Sequence, residues 1–184
     1  MRGELKTNHK SNITISVDDK IFEEIKKDAE GRGLSTNAHV NDILQRHTVF
    51  YRHVSEQGGV IIPQKFYAEV VNLIDEDKLM YLLDEMGGKE VITSIFAHNG
   101  IPFTIDNLVK HCFESISLWA GTYSSFRYRR DESNKMELVF EHKFGIKWSK
   151  AIGYAFSRFI QNTTGCSATF KTLPTTTIVK VDCS

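Results

Sequence analysis

The sequence predicts an α+β protein in two parts, and three features of its hydrophobic pattern lead to that prediction. Near the N-terminus, a short alternating segment precedes two amphipathic helical segments. From about residue 63 to residue 121, apolar residues recur at helical spacing. The last third alternates at every second residue on both sides of one long helical pattern, which is typical of a small antiparallel sheet with a packed helix. We therefore expect one domain over residues 1–56 and a second over residues 60–184, joined at Gln57-Gly58-Gly59.

The N-terminal segment 12–17 alternates apolar and polar residues, as expected of a β-strand. One face carries Ile13, Ile15 and Val17, and the other carries Asn12, Thr14 and Ser16. The sequence offers no hairpin partner nearby. The simplest way to satisfy the backbone of this strand is to pair it with the same strand of a second chain.

Two helices are predicted directly after this strand. Asp18 or Asp19 is a suitable N-cap for a helix over Lys20–Glu30, and Gly31 or Gly33 is suited to end it. Ser35 is a suitable N-cap for the second helix. Neither helix is long enough to be stable alone in water, and about 50 residues bury little core, so we predict an intertwined dimer.

The strand, the acidic cap, the first helix, the Gly33-Leu34-Ser35 turn and the second helix resemble the ribbon-helix-helix family of DNA-binding repressors, of the Arc, MetJ and CopG types. The resemblance covers about residues 10–52. It implies that paired strands enter the major groove of an operator in double-stranded DNA. By position, Asn12, Thr14 and Ser16 would contact bases, and Lys10 would contact a flanking phosphate. Backbone amides at Ser35, Thr36 and Asn37 would hold a second phosphate at a helix N-terminus.

Charge and cysteine content limit this expectation. The chain has 23 basic and 23 acidic residues, so phosphate contacts should be few and the salt dependence modest. No apolar run approaches the ~20 residues of a membrane span, and residues 1–6 lack the apolar core of a signal peptide. The three cysteines are widely spaced and odd in number, which predicts ordinary reduced thiols and a cytoplasmic location.

The second domain resembles no family that we can name, and we predict an effector-sensing or oligomerisation role for it. Its candidate ligand pocket combines strand residues with residues of a strand-to-helix junction: Arg127, Tyr128, Arg129, His142, Lys147 and Trp148. The competing interpretation is structural, with Trp148 as the first core residue of its helix, Lys147 solvated and His142 a satisfied core or rim histidine.

Metal binding and catalysis find little support in the sequence. Nickel-responsive repressors join a similar N-terminal fold to a domain with a His/Cys metal site, but His98, His111, Cys112 and His142 lack such spacing here. No nucleophile elbow, P-loop or dinucleotide-binding glycine motif occurs. We therefore expect no metal, no cofactor and no enzymatic activity.

The resulting prediction is a sequence-specific transcriptional regulator that acts as a homodimer or a higher homo-oligomer, and whose second domain either senses a small-molecule effector or builds the oligomer. Two alternatives remain open. One is an antitoxin-type DNA-binding protein that binds a toxin partner. The other is an enzyme that its N-terminal segment merely dimerises.

Overall fold

The computed structural model describes residues 11–56, 58–86 and 89–184. The chain divides into two compact units, one ending at Leu44 and the other beginning at Gln45. The sequence placed the linker later, at residues 57–59, where helix α3 has ended at Glu56 and Gly58 adopts a positive φ of 72°. Among the described residues, no helix combines the length and the apolar character needed to cross a lipid bilayer.

The first unit contains α1 (Asp19–Gly31) and the start of α2 (Thr36–Arg46), and both caps are those that the sequence predicted. The Asp18 carboxylate accepts the Lys20 amide at 2.9 Å, and the Ser35 hydroxyl oxygen accepts the Ala38 amide at 3.2 Å. Gly33 has a φ of 67° and lets the Leu34 amide donate back to the carbonyl of Ala29 at 2.9 Å. This glycine-dependent closure ends α1 and directs the chain into the second helix.

Residues 11–18 form no strand in the single chain, which differs from the expectation for 12–17. The physical reason is that a β-strand needs a hydrogen-bonded neighbour, and none of the residues that the structure describes pairs with this segment. The two capped helices are therefore present, without a strand before them among the described residues.

The second unit begins with a helical layer. A π-helical segment, π1 (His47–Tyr51), leads into α3 (Arg52–Glu56), and the remaining helices follow in this order: α4 (Gln64–Leu73), α5 (Glu76–Met86), α6 (Lys89–His98), α7 (Ile105–Asn107), a second π-helical segment π2 (Leu108–Ile116), and α8 (Ser117–Trp119). The apolar side of π2 is fully buried. This helical region was predicted, whereas its two π-segments were not.

The last third has the predicted order of strand, strand, helix, strand, strand. The elements are β1 (Ser125–Arg130), β2 (Met136–Glu141), α9 (Gly145–Thr164), β3 (Ser167–Leu173) and β4 (Thr176–Asp182), with sheet order β1-β2-β4-β3 and every pair antiparallel. The prediction of an α+β protein with a small antiparallel sheet and a packed helix is therefore confirmed for this part. One face of the sheet packs on α9, where Phe140 and Phe156 have ring centroids 4.8 Å apart.

The cysteines differ from the sequence-based expectation. Cys166 and Cys183 form a disulfide, with Cα atoms 4.4 Å apart, and only Cys112 is a free, buried thiol. The pairing follows from the register of β3 and β4, because Ser167 lies opposite Asp182 and the next residues outward are the two cysteines. The prediction of three ordinary thiols was therefore wrong, since sequence spacing did not reveal which strand ends would meet.

Candidate functional site

The predicted DNA-contacting segment is fully accessible in the single chain. Asn12, Thr14 and Ser16 are all exposed. The opposite, aliphatic side of the segment is exposed too, with 71% of Ile13 and 58% of Ile15 accessible to solvent. A segment that exposes both faces, and that pairs with no strand among the described residues, can add to the edge of another strand. Lys10, the predicted flanking phosphate contact, lies outside the described residues.

The exposure of apolar side chains continues over the two helices of the first unit. Large hydrophobic residues with at least two-fifths of their surface accessible are Ile21, Phe22, Leu34, Ile43 and Leu44. Between residues 11 and 44, only Ala29 and His39 are buried. Exposed apolar patches of this kind mark an interaction surface on a soluble protein. The first unit therefore has the amphipathic helices of a core but little that covers them within its own chain.

The predicted anion-binding position lies at the N-terminus of α2. Thr36 and Asn37 lie in its first turn, and Asn37 is exposed. The Ser35 side chain occupies the amide of Ala38, so the cap and an incoming anion would use different amides. The positive end of the helix dipole favours a phosphate at this point.

The six residues of the predicted ligand pocket do not form one pocket. Arg127 and Arg129 lie on the sheet face opposite α9, where they pair with Glu141 at 2.7 Å and with Glu137 at 3.0 Å. Tyr128 projects to the other face and stacks on Phe126, because neighbouring strand residues alternate between faces. Alternation along β1 thus separates the side chains that the sequence grouped together.

His142 is held in a buried network within the protein. Its Nδ1 accepts the Phe144 amide at 3.2 Å, so its Nε2–H is the donor to Ser149 Oγ at 2.8 Å. Ser149 Oγ–H in turn donates to the carbonyl of Leu173 at 2.7 Å. Burial lowers the pKa of His142 to about 4, because the charged imidazolium would lose its hydration. This histidine therefore connects β2, α9 and the β3–β4 turn as a neutral side chain.

Lys147 and Trp148 also make internal bonds. Lys147 Nζ donates to the carbonyls of Asn72 and Ile74, each at 2.7 Å, and so closes the C-terminal end of α4. Trp148 Nε1 donates to the carbonyl of Thr122 at 2.9 Å. The structural interpretation of Trp148 and His142 agrees with these contacts, whereas Lys147 is a helix-capping residue rather than a solvated one.

The histidines and the free cysteine form no metal site in the part of the chain that the structure describes, where no group of three or more candidate ligand side chains occurs. His53 Nε2 and His98 Nε2 both approach Arg52 Nη2, at 3.5 and 3.2 Å. Cys112 is buried, and desolvation raises the pKa of its thiol to about 12, which makes it a poor nucleophile at neutral pH.

An apolar groove that the sequence analysis did not consider lies in the second unit. It runs between the helical layer and the segment Val60-Ile61-Ile62, which is exposed to solvent, with 91% of Ile61 accessible. A signal for it existed in the sequence, because three consecutive β-branched apolar residues follow the predicted linker directly, and such runs are unusual at a surface unless they are functional.

No family model, curated protein or solved structure gives a significant match to this chain.

Proposed function

We propose that the protein is a homodimeric, sequence-specific DNA-binding regulator of the ribbon-helix-helix type. One observation carries the proposal. Residues 11–18 are an exposed segment, alternating over residues 12–17, that pairs with no strand in the described part of the chain, and they precede two capped helices whose apolar sides are also exposed. A second copy would supply a strand partner for the segment and would also cover the exposed apolar sides of the helices.

In the dimer, the two segments pair antiparallel. Ile13, Ile15 and Val17 turn inward against the exposed helix residues, such as Phe22 and Leu44, of both copies. Six residues at ~3.3 Å each give a ribbon about 20 Å long, and its two strands, ~5 Å apart, fit side by side in a major groove about 12 Å wide. Asn12, Thr14 and Ser16 then face the base edges, where an amide can bond adenine at two atoms and hydroxyls can bond several bases.

The second helix of each copy positions the ribbon. An anion at the first turn of α2 is stabilised by free amides and by the helix dipole, and a DNA phosphate supplies it. Each dimer covers one short half-site, and two dimers span a repeated site. The second unit contributes effector sensing or further oligomerisation.

The proposal is tested by random-sequence DNA selection followed by titration of the enriched site. We expect one enriched motif, and we expect Thr14→Ala to weaken specific binding by about 1–3 kcal/mol while relaxing the preference at one base. The matched control is Thr169→Ala, an exposed threonine on the sheet of the second unit, which should bind as the wild type does. No enriched motif, or equal specificity in Thr14→Ala and wild type, would contradict direct readout by this segment.

Dimerisation through the same segment is tested separately. Ile15→Asp places a charge on the side that would be buried between copies, so it should dissociate the dimer in native mass spectrometry and abolish specific binding. Leu73→Asp, at a leucine that is 86% exposed in the second unit, is the control and should remain dimeric. A dimeric Ile15→Asp variant with normal DNA binding would overturn the proposed pairing.

A further inference from the structure

Two adjoining hollows in the second unit form one apolar groove. The larger has a volume of about 440 Å³ and the smaller about 380 Å³, and they share Val60, Ile62, Ala120, Gly121 and Thr122. Each volume lies within the range of ~300–1,000 Å³ that is common for small-molecule sites. Phe50, Tyr51 and Val54 line the larger hollow, and Tyr67, Phe144 and Trp148 line the smaller.

The lining of this groove specifies the chemistry of what it can bind. None of the residues that line the two hollows carries a charge. A charged molecule would lose its hydration there without gaining a counter-charge, which excludes ions and zwitterions. A few hydroxyl and amide groups lie among the apolar side chains, among them those of Ser117, Thr122 and Gln64. Apolar walls with a few polar groups match a neutral molecule that has an apolar body and one or two hydrogen-bonding atoms.

Both π-helical segments of the described chain end at this groove. In π1, the Arg52 amide donates a hydrogen bond to the carbonyl of His47, five residues earlier. Phe50 and Tyr51 of the same segment line the groove. At the end of π2, the Ser117 amide donates a hydrogen bond to the carbonyl of Cys112, and both Ile116 and Ser117 line the groove. Hydrogen bonds between residues five positions apart, which define a π-helix, are rare in proteins, and many of those that do occur lie at functional sites. Their convergence on one uncharged hollow is an observation independent of its volume.

We propose that this groove is a binding site for a neutral, mainly apolar small molecule, and that this molecule is the effector of the regulator. The term effector rests on the proposed function, whereas the binding site does not. The ligand lies between the Val60–Ile62 segment and the walls formed by π1 and α8. Its apolar body contacts the aliphatic and aromatic side chains, and its polar atom bonds to a hydroxyl of the lining.

The test uses N-phenyl-1-naphthylamine, a neutral apolar fluorophore that emits more strongly in apolar surroundings, titrated into the 184-residue chain. We expect saturable binding by the wild type. Ala120→Trp fills the region shared by both hollows from an exposed position, and we expect it to weaken binding at least about tenfold. Val60→Asp, at a side chain that is mostly exposed, places a charge at the rim, and we expect a loss of about tenfold as well.

Matched controls separate the groove from other apolar surface. Ala97→Trp changes an exposed alanine of α6 that lines neither hollow, and Leu73→Asp changes an exposed leucine of α4 that lines neither. Both controls should bind the fluorophore as the wild type does. Absence of saturable binding, or equal binding by Ala120→Trp and wild type, would overturn the site. Dissociation of the protein into monomers by Val60→Asp in native mass spectrometry would also overturn it, because a second copy would then be the occupant.

These measurements need no DNA, so the outcome is separate from that of the proposed function. If the fluorophore binds in the groove but no DNA motif is enriched, the proposed binding site is supported and the proposed DNA-binding function is refuted. If a DNA motif is enriched but the fluorophore does not bind in the groove, the proposed DNA-binding function is supported and the proposed binding site is refuted. If both hold, the fluorophore should change the affinity for the enriched DNA in the wild type but not in Ala120→Trp.

Discussion

Acidification should destabilise the second unit through His142, and glutamine at this position should remove that effect. In the folded protein, Nδ1 of His142 accepts an amide and Nε2–H donates to Ser149, so protonation would break the bond at Nδ1. Burial holds the pKa of His142 at about 4, whereas the unfolded chain has the ordinary value of 6.5. Between these two values the unfolded chain binds a proton that the folded chain does not.

The size of the effect follows from these two pKa values. Stability rises with pH wherever the unfolded state binds more protons, so the stabilising contribution is complete above pH 6.5 and is lost as the pH falls towards 4. Going from pH 7 to pH 5 crosses most of this interval and should cost about 2 kcal/mol, since one pKa unit corresponds to about 1.4 kcal/mol. His111 adds a smaller part with the same sign, because burial and the nearby charge of Lys110 also lower its pKa.

The assay is urea unfolding followed by tryptophan fluorescence at pH 7 and pH 5. His142→Gln keeps an N–H near the position of Nε2 that can donate to Ser149, yet it takes up no proton in this range. We expect this variant to be less stable than wild type at pH 7 but to lose much less stability on going to pH 5. His47→Gln, at an exposed histidine, is the control and should show the full wild-type loss. A loss in His142→Gln equal to that of the wild type would refute the assignment of the pH effect to this network.

Two further predictions concern the sheet. The Cys166–Cys183 disulfide joins residues 17 positions apart, so its reduction should lower the free energy of unfolding by about 3 kcal/mol. The double variant Cys166→Ser/Cys183→Ser is the control, and its stability should not change with reductant. An unchanged urea midpoint on reduction of the wild type would contradict this prediction. Gly153→Ala should lower the free energy of unfolding by about 1–3 kcal/mol, measured by thermal unfolding, because the new Cβ would lie 2.5 Å from Cδ2 of Phe170. If that contact is the cause, Phe170→Leu in the Gly153→Ala background should restore part of the lost stability.

Local signals in the sequence predicted local structure well. Asp18 and Ser35 cap the helices that their positions indicated, because capping depends on residues only two or three positions away. The hairpin between β1 and β2 turns at Asp131-Glu132-Ser133-Asn134, residue types that favour turns, and the Asp131 carboxylate accepts the amides of Ser133 and Lys135. The α9 pattern likewise gave the longest helix of the described chain.

Predictions that required knowing which distant residues meet were less successful. The proposed pocket around Arg127 and Trp148 failed to assemble because it combined residues on opposite faces of the sheet. The groove was missed for the converse reason, since its walls come from segments between residues 50 and 148 that no short-range pattern connects. The pairing of Cys166 with Cys183 belongs to the same class, because strand register alone brings these residues together.

The sequence by itself determined the order of the elements, the helix caps, the hairpin turn and the amphipathic sides, since all of these arise from interactions between residues close along the chain. It also indicated the segment 12–17 as an alternating one. Only the tertiary structure decided that this segment pairs with no strand among the described residues, that His142 is neutral and internally bonded, and that an uncharged groove opens beside Val60–Ile62. These properties depend on burial and on contacts across long sequence separations, which the packing of the whole chain establishes.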